Sequence, residues 1–353
     1  MPPRLRFGSL PLATAGVLLL ALAGLVAACR SGRPPAAREP AAEIGVYSGR
    51  HYNTDKELYR RFTEQTGIRV KLLEGKDDAL IERLRSEGKD SPADVLVLVD
   101  AARLDKAASQ GLFRPVRSPA LREAVPENLR DAQGRWFALT RRVRLAVVNP
   151  ERVDPATIRT YADLADPALR GKLCLRNHKS VYNQSLVADQ LILRGTDATR
   201  EWVKGMVANL GQPLFSSDIP LTRAVARGEC GVALVNSYYV ARMLSGRTGD
   251  ADRRLAEGLK VVFPDPAHVN VSGAGVTAAS DAPEAATRLI EFLASPSGGE
   301  GYAAANHEYP LRGFGNSEIL RRFGSFRDDG VSAQQMGARN REAVQLMLAN
   351  GWS

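Results

Sequence analysis

Asp94-Val95-Leu96-Val97-Leu98-Val99 is an apolar run of strand length with no polar alternation. It reads as a strand buried on both faces, the kind found between two layers of helices. Before it, Asp77–Ser86 places Leu80, Ile81 and Leu84 on one face of a helix, and Ile68–Leu73 has the pattern of a strand. Further back, Asn53 or Thr54 can cap a helix through Gln65 that Gly67 ends, and Ile44–Tyr47 is a short strand. After it, Ala101–Gln110 is helical and stops at Gly111. This β-α-β-α-β order predicts an α/β fold with a mainly parallel sheet covered on both sides.

A second unit of the same kind starts after Asn149-Pro150. Its predicted strands are Lys172–Leu175, Gly231–Val235 and Leu259–Phe263. Helices are expected over Gln184–Leu193, Thr199–Leu210 and Leu221–Arg227, then from Asp281-Ala282-Pro283 to about Ala294, and last from about Ala333 to Ala349.

The amino terminus indicates the compartment. Arg4 and Arg6 precede an apolar stretch from Leu10 to Leu25, which ends in Val26-Ala27-Ala28-Cys29. That is a secretory signal over residues 1–28, too short for a stable membrane span. A cysteine directly after small residues resembles the bacterial lipobox, so Cys29 is the expected lipidation site, holding the chain to a membrane. Residues 29–42, rich in Arg, Ser, Gly, Pro and Ala, read as a flexible tether. The remaining ~310 residues exceed one ordinary core, so two lobes are expected. Without Arg4 and Arg6 the formal charge of +9 becomes 9 − 2 = +7. It is spread among many acids with no basic block, which argues against nucleic-acid binding. With Cys29 acylated, Cys174 and Cys230 remain as an even pair and a disulfide candidate in an oxidising compartment.

Ligands of open α/β sheets bind beyond the carboxyl ends of strands. Three such junctions carry tyrosine: Tyr47-Ser48-Gly49-Arg50-His51-Tyr52-Asn53, Ser180-Val181-Tyr182-Asn183-Gln184-Ser185, and Asn236-Ser237-Tyr238-Tyr239. Singly, each tyrosine is an ordinary half-buried packing residue. Together they draw on a chain with only nine tyrosines, and the coincidence points to a site. Phenolate oxygen is a hard anionic donor suited to a small, highly charged cation, and iron(III) fits better than zinc or copper. Four phenolates on a trivalent ion leave a single excess negative charge, against two on a divalent ion. Arg142, Arg144 and Arg242 lie close in sequence to these segments and can offset it. His178 is expected at the surface, and His307 and Tyr309 in structural roles. The same cleft could instead hold an organic cation, thiamine or an anion, since aromatic cages bind cations. No His-Glu-x-x-His, Gly-x-Ser-x-Gly, Walker loop or Cys-x-x-Cys pair occurs, which argues against an enzyme.

At these three segments, and at His268-Val269-Asn270-Val271-Ser272-Gly273-Ala274-Gly275 and Asn306-His307-Glu308-Tyr309-Pro310, the chain resembles the bacterial periplasmic ferric-iron-binding proteins of ABC importers, most closely their Fut-like branch. The resemblance covers nearly everything after the tether. It implies a type II periplasmic binding protein with an inter-lobe cleft. One lobe is expected over 43–140 plus 270–318, the other over 141–269 plus 319–353. It further implies iron ligands at His51, Tyr52, Tyr182, Tyr238 and Tyr239, with Arg142 and Arg242 behind them. A full protein ligand set implies no obligatory synergistic anion. The segment of His268 is expected to pack near the crossover between lobes, with hydrogen-bonding support of the site as the lesser reading of this residue. The expected partner of the lipid-anchored monomer is an ABC permease.

Overall fold

A computed structural model of the chain describes residues 42–50 and 55–353. The signal segment, Cys29, the tether up to residue 41, and His51, Tyr52, Asn53 and Thr54 lie outside the described residues.

Eight strands form the sheet among the described residues: β1 (Glu43–Ser48), β2 (Arg69–Glu74), β3 (Val95–Val99), β4 (Phe137–Val148), β5 (Leu173–Cys174), β6 (Val232–Asn236), β7 (Lys260–Val262) and β8 (Val269–Val276). Their order is β2-β1-β3-β8-β4-β6-β5, with β7 also on β4. β1 pairs in parallel with β2 and β3, and β5 with β6. The middle departs from the mainly parallel sheet predicted. β8 runs antiparallel to β3 and β4, and β4 antiparallel to β6 and β7. The apolar pattern does not reveal β4, because Arg141, Arg142 and Arg144 interrupt it. Yet Arg142 and Arg144 are each only 1% exposed.

β4 and β8 carry the chain between two lobes, each with its own core. The first core gathers Val46, Leu58, Phe62, Leu80, Ile81 and Val95–Leu98, closed by Leu289, Ile290 and Leu293. The predicted strand at Val95–Val99 is buried throughout, as a strand covered on both faces must be. The second lobe packs Trp202, Met206, Leu234 and Trp352 on one side of its sheet, and Leu221, Val225 and Val235 on the other. Cys174 and Cys230 form a disulfide with Cα atoms 5.9 Å apart, joining β5 to the residue leading into β6.

Two helix predictions differ in detail from what is seen. The segments expected at 184–193 and 199–210 belong to one Val181–Ala208 helix, broken at Gly195 with φ 79° and ψ 170°. Glycine adopts that backbone without a side-chain clash. The helix expected over 333–349 is two, Ala333–Ala338 and Asn340–Ala349. The first packs on the Ala101–Ser109 helix and the second on Val181–Ala208. Beyond them Trp352 is fully buried and donates from Nε1 to the Arg176 carbonyl at 2.7 Å, while the His178 amide donates to the Ser353 carbonyl at 3.3 Å. The end of the chain thus braces the loop that leads to Tyr182. His178 is half-buried in that loop, not at the open surface.

Candidate metal centre

Tyr182 is the second residue of the Val181–Ala208 helix, which follows β5 after the loop 175–180. Tyr238 and Tyr239 are the second and third of the Ser237–Leu244 helix, directly after β6. Because β5 and β6 are parallel neighbours, both helices start at the same edge of the sheet. The Tyr238 hydroxyl donates to the Tyr182 hydroxyl at 3.2 Å. The rings of Tyr238 and Tyr239 sit 4.2 Å apart between centroids, tilted by 32°. Neighbouring residues diverge by ~100° around a helix, and only its first turn lets two such side chains fold back together. Tyr238 is 1% exposed, whereas Tyr182 and Tyr239 are half-buried. Helix amino termini favour negative charge nearby.

Two guanidiniums flank Tyr182. The Arg142 Cζ lies 5.3 Å and the Arg176 Cζ 5.5 Å from its ring centre. Burial works against the Arg142 charge, but Tyr182, Glu308, Tyr238 and Asp100 outweigh it and hold the group above the usual arginine range. Its Nη2 donates to the Val271 carbonyl, while Nε and Nη1 have no hydrogen-bond partner among the described residues. Arg144 reaches one residue further back. It pairs with Asp218 at 2.7 Å and donates to the Asn183 side chain at 2.6 Å, positioning the helix turn of Tyr182. Arg242 donates to Asn306 at 2.8 Å. Arg176 escaped the sequence reading because a loop separates it from Tyr182. It shares Asp218 with Arg144.

The segment holding His51 and Tyr52 is outside the described residues, but its two ends are anchored. Arg50, 2% exposed, pairs with Asp55 at 2.9 Å and Glu308 at 2.7 Å, and donates to the Tyr302 carbonyl at 2.9 Å. Residues 50 and 55 are thereby clamped together across the four between them. Sequence reading gave Arg50 no role, although its place in the matched segment was the available signal. At Gly49 a Cβ would fall 1.6 Å from Asp77 Oδ1, so any side chain there would have to displace that carboxylate. Burial pushes Asp77 up to about 6, against Arg103 and a bond from the Val99 amide. Facing lobes meet where Ser185 donates to Asp100 Oδ1, whose Oδ2 accepts from Asn270.

The lesser reading of His268 is not seen: neither of its ring nitrogens has a hydrogen-bond partner among the described residues. The ring lies beside Asp189 and Asp329 instead. Burial pushes the Asp329 carboxyl up to about 7, reinforced by Asp189 and opposed by His268. Tyr309 is fully buried, in keeping with the structural role expected of it. The Tyr309 ring packs edge-on against Phe314 and Phe326.

Comparison with known proteins agrees with this arrangement. The family model for bacterial extracellular solute-binding proteins matches residues 90–323. Iron uptake protein A1 of Synechocystis sp. (strain ATCC 27184 / PCC 6803 / Kazusa) is 42% identical over 315 residues, 88% of this chain and 87% of that protein. Among solved structures, the Trichodesmium protein IdiA (FutA) in complex with iron and citrate superposes with TM-score 0.86 and 38% identity, covering 88% of this chain and all of that one. Apo FutA2 from Synechocystis PCC6803 gives TM-score 0.84 and 39% identity, covering 89% and 100%. A sheet that two strands carry across both lobes, with tyrosines gathered at its strand ends, is therefore a periplasmic-binding-protein fold, and the chain belongs to the bacterial extracellular solute-binding protein family.

Proposed function

We propose that the chain is an extracytoplasmic iron(III)-binding protein that delivers its ion to an ABC importer. The observation that carries this reading is the meeting of Tyr182, Tyr238 and Tyr239 at two helix amino termini, beside Arg142 and Arg176. Three phenol oxygens with nearby positive charge suit a trivalent cation and not a neutral solute. His51 and Tyr52, which lie between Arg50 and Asp55 in the sequence, complete the proposed set of four tyrosines and one histidine from both lobes. Iron joined to both lobes favours the closed state, because only that state satisfies all five donors. The lobes are those expected over 43–140 with 270–318 and over 141–269 with 319–353. Five protein donors need no obligatory synergistic anion. The reading extends to a periplasmic monomer held to a membrane through Cys29 that meets a permease, with no nucleic-acid partner and no enzymatic reaction.

Titration of the purified protein with ferric citrate tests this. A phenolate-to-iron(III) charge-transfer band in the visible should saturate at one iron per chain and weaken strongly in Tyr238→Phe. Binding should also release protons, since phenols must ionise. A folded protein that stays colourless at saturating iron would remove iron(III) and leave an importer component for a colourless solute such as an organic cation, thiamine or an anion.

A further inference from the structure

We propose that Asp189, His268 and Asp329 form a second metal site, separate from the tyrosine cluster, that takes a divalent first-row cation of zinc's class. Asp189 lies two turns beyond Tyr182 on the Val181–Ala208 helix. His268 immediately precedes β8, and Asp329 lies in the loop before the Ala333–Ala338 helix. One ligand atom from each residue comes within 4.8 Å of the others.

Among the described residues, each group is tied down by bonds that leave its donor atom unused. Asp189 accepts from Gln190 at Oδ2, 3.0 Å, and has no partner at Oδ1. Asp329 accepts from the Val331 amide at Oδ1, 2.8 Å, and has none at Oδ2. The His268 amide donates to the Tyr161 hydroxyl at 2.9 Å and its carbonyl accepts from the Arg144 amide at 3.1 Å, but neither ring nitrogen is bonded. The side chains of His268 and Asp189 are 1% and 0% exposed. Buried polar atoms in folded proteins are nearly always satisfied, and an orphan is costly. Four in one place require a common partner.

Geometry and charge point to a metal. His268 Nδ1 and Asp189 Oδ1 are 3.7 Å apart, too far for a hydrogen bond. Bonds of about 2.1 Å in a tetrahedron put ligand atoms about 3.4 Å apart, near the 3.7 Å between His268 and Asp189, and Asp329 lies within 4.8 Å of both. Two carboxylates and a neutral imidazole cancel a divalent charge, whereas iron(III) would leave a buried positive charge. One nitrogen and two oxygens suit zinc or its neighbours in the first row. Asp329 is partly exposed and offers the way in. An ion here would clasp the helix that carries Tyr182 to the start of β8, where the chain crosses between lobes.

The test uses iron-free protein and cobalt(II) as a visible probe. Wild type and Tyr238→Phe should each bind one cobalt per chain here, with d–d bands of a low-symmetry site, and zinc should displace it. Zinc should also raise the melting temperature. Asp329→Asn and His268→Gln should weaken binding by about tenfold or more and abolish the bands. Asp329→Asn lies at a partly exposed position, so its fold, checked by circular dichroism, decides the matter even if His268→Gln does not fold. Absence of this cobalt, cobalt that both variants leave unchanged, or cobalt lost in Tyr238→Phe alone would overturn the proposal and leave the triad sharing a proton.

Discussion

Replacing Arg50 by methionine should destabilise the protein in a way that grows with pH. Arg50 is fully buried between Asp55 and Glu308, and its guanidinium also stacks on Tyr302 with Cζ 3.8 Å from the ring centre. Methionine keeps the bulk and removes the charge, leaving two buried carboxylates without their main cation. Breaking a buried pair from one side costs about 3–5 kcal/mol. At ~310 folded residues, with about 2.1 cal/mol/K of unfolding entropy each, that is a fall of roughly 5–8 °C in Tm. Glu308 now lies below the usual carboxylate range: burial pushes it up, but Arg50 and then Arg142 pull it down further. Without Arg50 burial prevails, so its folded-state pKa rises above the unfolded value. The variant then keeps its stability at low pH and loses it as pH rises through that raised value. Urea denaturation of the iron-free protein, followed by circular dichroism at pH 5 and pH 8, measures the difference. Arg50→Met with Glu308→Gln should recover part of the loss at pH 8. A loss below about 1 kcal/mol at pH 8, the most an exposed pair contributes, or an equal loss at both pH values would refute the reasoning.

Asp77→Asn addresses the carboxyl raised to about 6 from an ordinary value of 3.8. A raised carboxyl supports the fold below pH ~4 and loses that contribution as pH rises through about 6, roughly 3 kcal/mol. The variant should therefore gain on wild type between pH 4 and pH 7, read by urea titration at both. The Cys174–Cys230 disulfide spans 56 residues, so Cys174→Ser with Cys230→Ser should cost about 4 kcal/mol from unfolded-chain entropy. Comparing that pair with wild type in denaturant checks the figure. Trp352→Ala empties a fully buried site and removes one of the two donors on the Arg176 carbonyl, leaving that of Asn183, at a cost of about 3–5 kcal/mol. It should also weaken iron binding by loosening the loop before Tyr182, measured as a shifted ferric citrate titration.

Much was legible in the residues alone. The run Val95–Val99 announced a doubly covered strand because burial on both faces removes polar alternation. Tyrosines at strand-to-helix junctions were visible because such junctions follow from local pattern, and the even pair of cysteines indicated its own bond. Local pattern could not reveal β4, whose three arginines look like a surface until Asp218, Asn183, Val271 and Pro310 are brought to meet them. Nor could it reveal Arg176 beside Tyr182, Glu308 on Arg50 some 258 positions away, or the union of Asp189, His268 and Asp329. Those contacts join distant segments, and a side chain's charge and hydrogen bonds depend on which segments fold against it. The sequence by itself determined most of the elements around the tyrosines and the chemical type of the donors that those residues offer. Only the tertiary structure decided which buried charges neutralise one another, because Coulomb and desolvation energies depend on distance in space and burial, not on separation along the chain.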